Sequence, residues 1–435
     1  MLTTPFLTGL DSRAAVKGSR DPLGIQQIWT RMGRHVVGNL TTVSNSVRDF
    51  TTLLLGYYFA ERIEDKQGPG TELATFLKWE QLAAYARAAA NKDYAFRGTD
   101  RVRKNLSERS RVTLSADRDH QILGNQKIYG LWGLYTVPAR SSGLVEGDPS
   151  RLTPPALELV ERLYIPILEK RSRRDLRRIF DLLAPRASRL DVSRADRTVV
   201  EAVGRVLTRR LSEAEREFYR SHLLYGGPQD STSGRQRQLA ELLEETLEQA
   251  EFAWSPAVVG GLSKSALARG EQWGALAHHL NRIRTCETVM APMSALFTHL
   301  LGLDGKGIGT VTERLRAEWG SGLRTVSPEA FGELRGDLAA GDTPSGDRWL
   351  GVAHALSGGN YGTLIELLLE QNKSVMADRG GVSWIERRDG ELHVRFGDEH
   401  GVLPRRDEIP SLWRFPYFLD SVRSVAATLK EGRSG

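Results

Sequence analysis

The fold of this chain is constrained most by a series of long runs with helical apolar spacing, set against a single run that alternates. "LATFLKWEQLAAYARAAA", Leu73 to Ala90, joins strong helix formers to a helical period, and Val47 to Glu64 carries apolar side chains at similar spacing. "TPPALELVERLYIPILEK" opens with Thr153 as an N-cap and prolines in the first turn, placing Leu157, Val160, Leu163 and Tyr164 on one face. "SEAEREFYRSHLL" begins with Ser212 and Glu215, a capping box, and Arg237 to Trp254 reads as an acidic amphipathic helix. Further helices are expected over Ser265 to Leu301 with a break or kink near Pro292, after Ser327, after Asn360, and from about Ser411. Only "GVSWIERRDGELHVRF" is strongly extended, its alternating residues flanking the turn pair Asp389-Gly390. These signals predict a mainly α, multi-helix protein with strands confined to about Val145–Thr153 and Val382–Phe396.

At 435 residues the chain exceeds what one hydrophobic core usually supports. Its Gly-, Pro- and Ser-rich stretch "YGGPQDSTSG", Tyr225 to Gly234, reads as a linker. The division expected is a basic helical domain at 1–225, a helical domain at 235–379, and a β-hairpin plus terminal helix at 380–435. "LLLGYYFA" falls far short of the roughly 20 apolar residues of a membrane-spanning helix, and the N-terminus lacks a basic then apolar leader, so a cytoplasmic protein without membrane contact is expected. The single cysteine, Cys286, excludes an internal disulfide and a thiolate cluster.

Charge is informative by place. The net charge of +6 conceals two strongly basic segments: Arg87 to Arg118 holds nine basic and four acidic residues, and Arg162 to Arg220 sixteen and nine. The rest of the chain is net acidic. Segregated positive charge of this kind is the electrostatic footprint of a nucleic-acid or acidic-partner surface. Arginine outnumbers lysine 49 to 11, a bias that a GC-rich genome also produces. Within "RGTDRVRKNLSERSRV", Arg101, Arg103, Lys104, Arg109 and Arg111 fall within about three helical turns and suit contacts to backbone phosphates.

Between the basic segments, "NQKIYGLWGLYTVPARSSGLVEGDPSRLTPPALELV" supplies in order a helix, a strand, a polar turn, a return strand and a proline-started helix. This order resembles the wing region of bacterial winged-helix regulators, over about 121–163. The resemblance implies DNA contact in which Lys127, Arg140 and Arg151 join the five basic residues above. The helix that would enter the groove carries Gly130, Gly133 and Pro138 and is apolar at Ile128, Leu131, Trp132, Leu134 and Tyr135, which argues against reading of base edges.

The run from Gly9 to Ile63 ("GLDSRAAVKGSRDPLG…GYYFAERI") resembles the openings of uncharacterised bacterial proteins encoded in phage-defence and DNA-mobility loci. That resemblance implies a non-catalytic subunit beside a helicase, nuclease or ATPase, and carries no functional residue across.

Nothing else names a chemistry. "GLDGKGIGT", Gly302 to Thr310, lacks the Gly-Lys-Ser/Thr ending of a phosphate loop and reads as a helix connection, and Gly358-Gly359-Asn360 reads as a helix cap. His278 and His279 are adjacent and cannot chelate as an i, i+4 pair, and Asp117, Asp119 and His120 read as capping residues. No catalytic residue, metal ligand or cofactor is expected. The function expected is a nucleic-acid-associated, non-catalytic subunit of a bacterial multi-protein complex in antiviral defence, bound to double-stranded DNA through backbone contacts and to other protein subunits. A hydrolase or nuclease of unfamiliar fold and a purely structural helical scaffold are the alternatives left open.

Overall fold

The computed structural model describes residues 21–169, 173–249, 251–339, 343–397 and 401–430. The chain forms two compact units, each built from two separate stretches: residues 1–36 with 249–417, and residues 37–248 with 418–435. This division differs from the one read from sequence, because the chain leaves its first unit early and the terminal helix returns to the second. Helix far exceeds strand, as the apolar periods predict, and strands occur among the described residues only as three two-stranded antiparallel ladders. Among those residues no helix is long and apolar enough to cross a membrane.

In the unit formed by 1–36 and 249–417, helix α1 (Ile25–Arg34) and the helix Pro256–Ala268 pack on the long helix Gly274–Leu300. The expected break near Pro292 lies elsewhere. Pro292 sits inside the uninterrupted long helix, and the chain turns instead at Gly270, whose φ of 113° suits glycine. Trp319, Trp349, Tyr361 and Tyr417 are fully buried. The expected hairpin pairs Ile385–Arg388 with Glu391–Val394, with Asp389 and Gly390 at positive φ in its turn. It also holds the Gly302–Thr310 connection, since the Gly305 N–H donates to the Leu392 carbonyl at 2.8 Å and the Ile308 N–H to the Gly390 carbonyl at 3.0 Å. Asn360 caps the helix Tyr361–Asp378 through the Thr363 N–H.

The second unit is organised by α2 (Val47–Gln67) and α3 (Glu72–Asn91), both buried over most of their length. Gly56 lets them approach closely, because a Cβ there would lie 2.6 Å from the Phe76 ring. Phe50, Tyr57, Phe59, Trp79 and Tyr85 fill the space around them. Packed outside are α4 (Thr99–Glu108), β1 (Arg111–Ser115), α5 (Gln126–Tyr129), α6 (Leu131–Ser141), β2 (Val145–Glu146), β3 (Arg151–Leu152) and β4 (Ala187–Asp191).

Two features of this unit depart from the sequence reading. β1 pairs with β4, Arg111 opposite Asp191 and Thr113 opposite Arg189, adding a ladder that the local pattern does not announce. The segment 225–234 is an internal part of the unit. Asp230 accepts from the N–H and hydroxyl of Thr232 and from the Gly234 N–H, Thr232 is buried, and Gln236 just beyond donates to Asn39 at 2.7 Å and to the Leu223 carbonyl at 2.9 Å. The acidic helix is also shorter than expected, Arg235–Glu245, and Thr246 closes it by donating its hydroxyl to the Leu243 carbonyl.

The helix–hairpin–helix order over 131–159 is present, with β2 paired to β3 and Pro154 at the start of the following helix. Thr153 does not cap that helix with its side chain; its hydroxyl donates to the Gly143 carbonyl at 2.8 Å and so ties the base of the hairpin. Leu131, Tyr135, Pro138 and Ala139 of α6 are buried, where the helix packs on α2, leaving Val137 and Arg140 outward.

Candidate functional site

A cleft of about 580 Å³ opens on the second unit beside the start of α2 and the end of α3, and the sequence between α3 and α4 builds one wall of it. α3 ends at Lys92 in the left-handed region, and "DYAFRG" then crosses to α4. Arg87, one turn before the end of α3, holds this crossing. Its Nε donates to Asp93 at 2.8 Å, one Nη to Asp49 at 2.8 Å and the other to the Ala95 carbonyl at 2.8 Å. With its guanidinium fully engaged and buried, Arg87 fixes the path that presents Tyr94, Phe96 and Arg97 to the cleft. Gly98 ends the crossing at a φ of 84°, and a Cβ there would meet the Ile122 carbonyl at 2.7 Å.

The opposite wall is the α2 N-terminus. Ser46 caps it by accepting from the Asp49 N–H, and Asn45, Ser46 and Arg48 line the cleft. Arg48 is engaged behind the wall, donating to Glu215 and to the carbonyls of Thr208 and Arg210. Arg209, from the turn after the helix Arg197–Val206, reaches Asp93 at 3.0 Å while staying largely exposed. Four arginines and two aspartates therefore face one cleft. Among the described residues Arg97 is the lining arginine that makes no hydrogen bond or ion pair, and it is half-buried.

Electrostatics divide the two aspartates. Burial raises the pKa of Asp49, with the Arg87 guanidinium opposing it. Burial acts the same way on Asp93, but Arg87, the Ala95 N–H and Arg209 outweigh it and hold its carboxyl below the usual range. Beneath the cleft a small void of about 20 Å³ is shared by Asp49, Arg87, Phe96, Arg97 and Glu80. Glu80 is fully buried on α3, and burial pushes it up to about 7 despite hydrogen bonds from the Leu131 N–H and the Gln126 amide, each at 2.8 Å. A carboxylate accepting at the start of α6 meets the positive end of that helix, so Glu80 is a structural cap of α6.

The residues expected from sequence to meet phosphate divide into three sets. Arg101, Arg103 and Lys104 are exposed on α4, with Arg101 donating to the Gln121 carbonyl and Arg103 stacked 4.3 Å over the ring of Tyr94. Arg109, Arg111 and Lys127 are also exposed; Arg111 binds Asp191 at 2.9 Å through Nε with its side chain 70% accessible, and Arg109 lies 4.0 Å from Glu108. On the outer face of the ladder Arg189 stands opposite Thr113 and adds charge to this surface. The last two, exposed Arg140 at the end of α6 and half-buried Arg151 in β3, are held by contacts around the hairpin. Arg140 donates to the Gly147 carbonyl and the Ser150 hydroxyl at 3.1 and 2.8 Å, and Arg151 is half-buried against Glu64 at 2.6 Å and Glu61 at 3.7 Å.

The cleft itself escapes the sequence reading. Its signal is two aromatic residues followed by an arginine in "DYAFRG" between two helices, and Arg209 and Asp49 join it only through the fold. Among the described residues no group of three or more His, Cys, Asp or Glu is placed to hold a metal ion. Comparison with protein-family models, with curated proteins and with solved structures finds no match.

Proposed function

We propose that this chain is a nucleic-acid-associated, non-catalytic protein that contacts backbone phosphates through the surface formed by α4, the β1–β4 ladder and α5. The observation that carries this reading is the exposed set Arg101, Arg103, Lys104, Arg109, Arg111 and Lys127 on consecutive elements of one unit. Exposed guanidinium and ammonium groups bind phosphate at little desolvation cost and carry no sequence information, and within this set Arg111 alone is paired with a buried acid, Asp191. Arg151 is half-buried against Glu61 and Glu64, and Arg140, though exposed, donates to the hairpin turn, so the contact surface lies on α4 and β1 more than on a wing. Double-stranded DNA is the ligand class this fits, a broad charged surface meeting a regular array of phosphates.

A role as one subunit of a larger assembly extends the reading. Ile128, Tyr129 and Val137 are 53, 60 and 64% exposed, an apolar set on the outside of α5 and α6 that suits a protein neighbour. The resemblance of the N-terminal run is what favours an antiviral-defence or DNA-mobility setting, with a helicase, nuclease or ATPase as that neighbour; its residues 9–20 lie outside those described.

The test is fluorescence anisotropy with two labelled duplexes of unrelated sequence at about 50 mM salt, where phosphate contacts are strong. The reading expects binding of both, weakened to a similar degree by the triple change Arg101→Ala, Arg103→Ala and Lys104→Ala. No binding at micromolar protein would remove it.

A further inference from the structure

We propose that the cleft between the α2 N-terminus and the Tyr94–Arg97 crossing is a binding site for one nucleotide unit, with its phosphate on Arg97 and Arg209 and its base against Tyr94 and Phe96. The proposal takes only the chemical class of its ligand from the nucleic-acid reading, and its phosphate contacts, Arg97 and Arg209, lie outside the residues of that reading. Its first ground is Arg97. A half-buried guanidinium with no protein acceptor among the described residues keeps its donors available within a concave site. Its second ground is preorganisation. Arg87 fixes the crossing by three hydrogen bonds at 2.8 Å, so Arg97 and the two rings are set in place before any ligand arrives.

Charge and shape narrow the ligand. Arg87 and Arg48 are consumed by internal acceptors, and Arg209 shares Asp93 with Arg87 while most of its side chain faces solvent. The donors left for a ligand are thus Arg97 and the outer edge of Arg209, matched to a single anionic group better than to a polyanion. Arginine forks suit phosphate geometry. Beside them Phe96 and Tyr94 offer aromatic surface, and Arg103 lies over the Tyr94 ring, extending the stack. Asn45 and Ser46 on the opposite wall supply neutral polar groups of the kind that meet sugar hydroxyls. The volume, about 580 Å³, lies within the roughly 300–1,000 Å³ of small-ligand clefts.

The nucleotide unit has two sources, a free nucleoside monophosphate or the 5′ end of a strand. Calorimetric titration of the full chain with adenosine 5′-monophosphate, and with a short single strand carrying or lacking a 5′-phosphate, separates them. The proposal expects saturable binding of the monophosphate, of the phosphorylated strand, or of both, with adenosine and the 5′-hydroxyl strand weaker. Binding of the monophosphate alone assigns the site to a free nucleotide, and binding of the phosphorylated strand alone assigns it to a strand end. Arg97→Gln should weaken binding about 10- to 100-fold, the range for one charge-assisted contact, and Tyr94→Ala should weaken it through the base. Unchanged circular dichroism for both variants separates loss of the site from loss of the fold. Absence of saturable binding by every phosphate-bearing probe, or equal affinity in wild type and Arg97→Gln, overturns the proposal. Duplex binding through α4 is read separately on an unphosphorylated duplex, so either reading can fail alone.

Discussion

The Leu131 N–H donates to a carboxylate oxygen of Glu80 at 2.8 Å, so a fully buried acid on α3 caps the first turn of α6. Burial pushes Glu80 up to about 7, against 4.5 for the unperturbed group. A carboxyl that binds its proton more tightly when folded stabilises the fold at low pH, and that contribution is lost as pH rises from about 4.5 through 7. Thermal unfolding followed between pH 5 and 8 should therefore show a declining midpoint. Glu80→Gln should flatten part of that decline, and an identical pH profile in the variant would contradict the assignment. Glu287, raised by burial to about 7 in the other unit, contributes in the same direction and is separable by Glu287→Gln.

Arg87→Ala should be among the most damaging single changes in its unit. It leaves Asp49 and Asp93 buried without their shared guanidinium and frees the Ala95 carbonyl. Removing one partner of a buried ion pair costs about 3–5 kcal/mol. Urea unfolding should register that loss, and a loss below about 1 kcal/mol would show that the network is not the anchor of the crossing.

Gly98 and Gly124 offer a paired test of backbone geometry. Alanine at Gly98 must adopt a φ of 84° and place a Cβ 2.7 Å from the Ile122 carbonyl, whereas Gly124 has open space around it and no positive φ. Gly98→Ala should cost about 1–3 kcal/mol, and Gly124→Ala should stay within about 0.5 kcal/mol. Chemical denaturation of the two variants side by side gives the comparison.

Much of the helical fold is legible because its long helices are continuous runs of helix-forming residues, some with their own caps, as Ser46 and Asn360 show. Ser212 and Glu215 form the capping box their spacing announces, and Asp389-Gly390 makes the turn its identity requires. Non-local relationships are what the local pattern withholds. β1 is five residues long, and its partner β4 comes after several intervening helices, so neither strand signals the other. Gly226, Gly227 and Pro228 look like a linker by composition, yet glycine serves here for packing: Gly227 lies so close to the Ser142 carbonyl that a Cβ would meet it at 2.6 Å. The exposed basic residues of α4 could be named from sequence, whereas the contacts that engage Arg140 and Arg151 depend on Ser150 and Glu64 reaching them. Arg97 carried no mark that distinguished it from other arginines until Arg87 fixed its neighbours.

The same relationships bear on proteolysis. Gln236 donates to Asn39, Leu223 and Leu224 and accepts from the Gly38 N–H, closing the 225–234 segment onto its unit. Gln236→Ala should leave those buried groups unsatisfied at about 1–3 kcal/mol and increase cleavage within 225–234 relative to wild type. Unaltered cleavage there would mean that the segment is held by other contacts.

The most direct measurement is the salt dependence of duplex binding. If around five of the exposed residues Arg101, Arg103, Lys104, Arg109, Arg111 and Lys127 neutralise phosphates, log affinity should fall against log salt with a slope of about −4 to −5. Replacing Arg101, Arg103 and Lys104 together by Ala should flatten the slope by up to about 3. A slope near zero, or a slope unchanged in the triple variant, would contradict a phosphate-binding surface on α4 and β1.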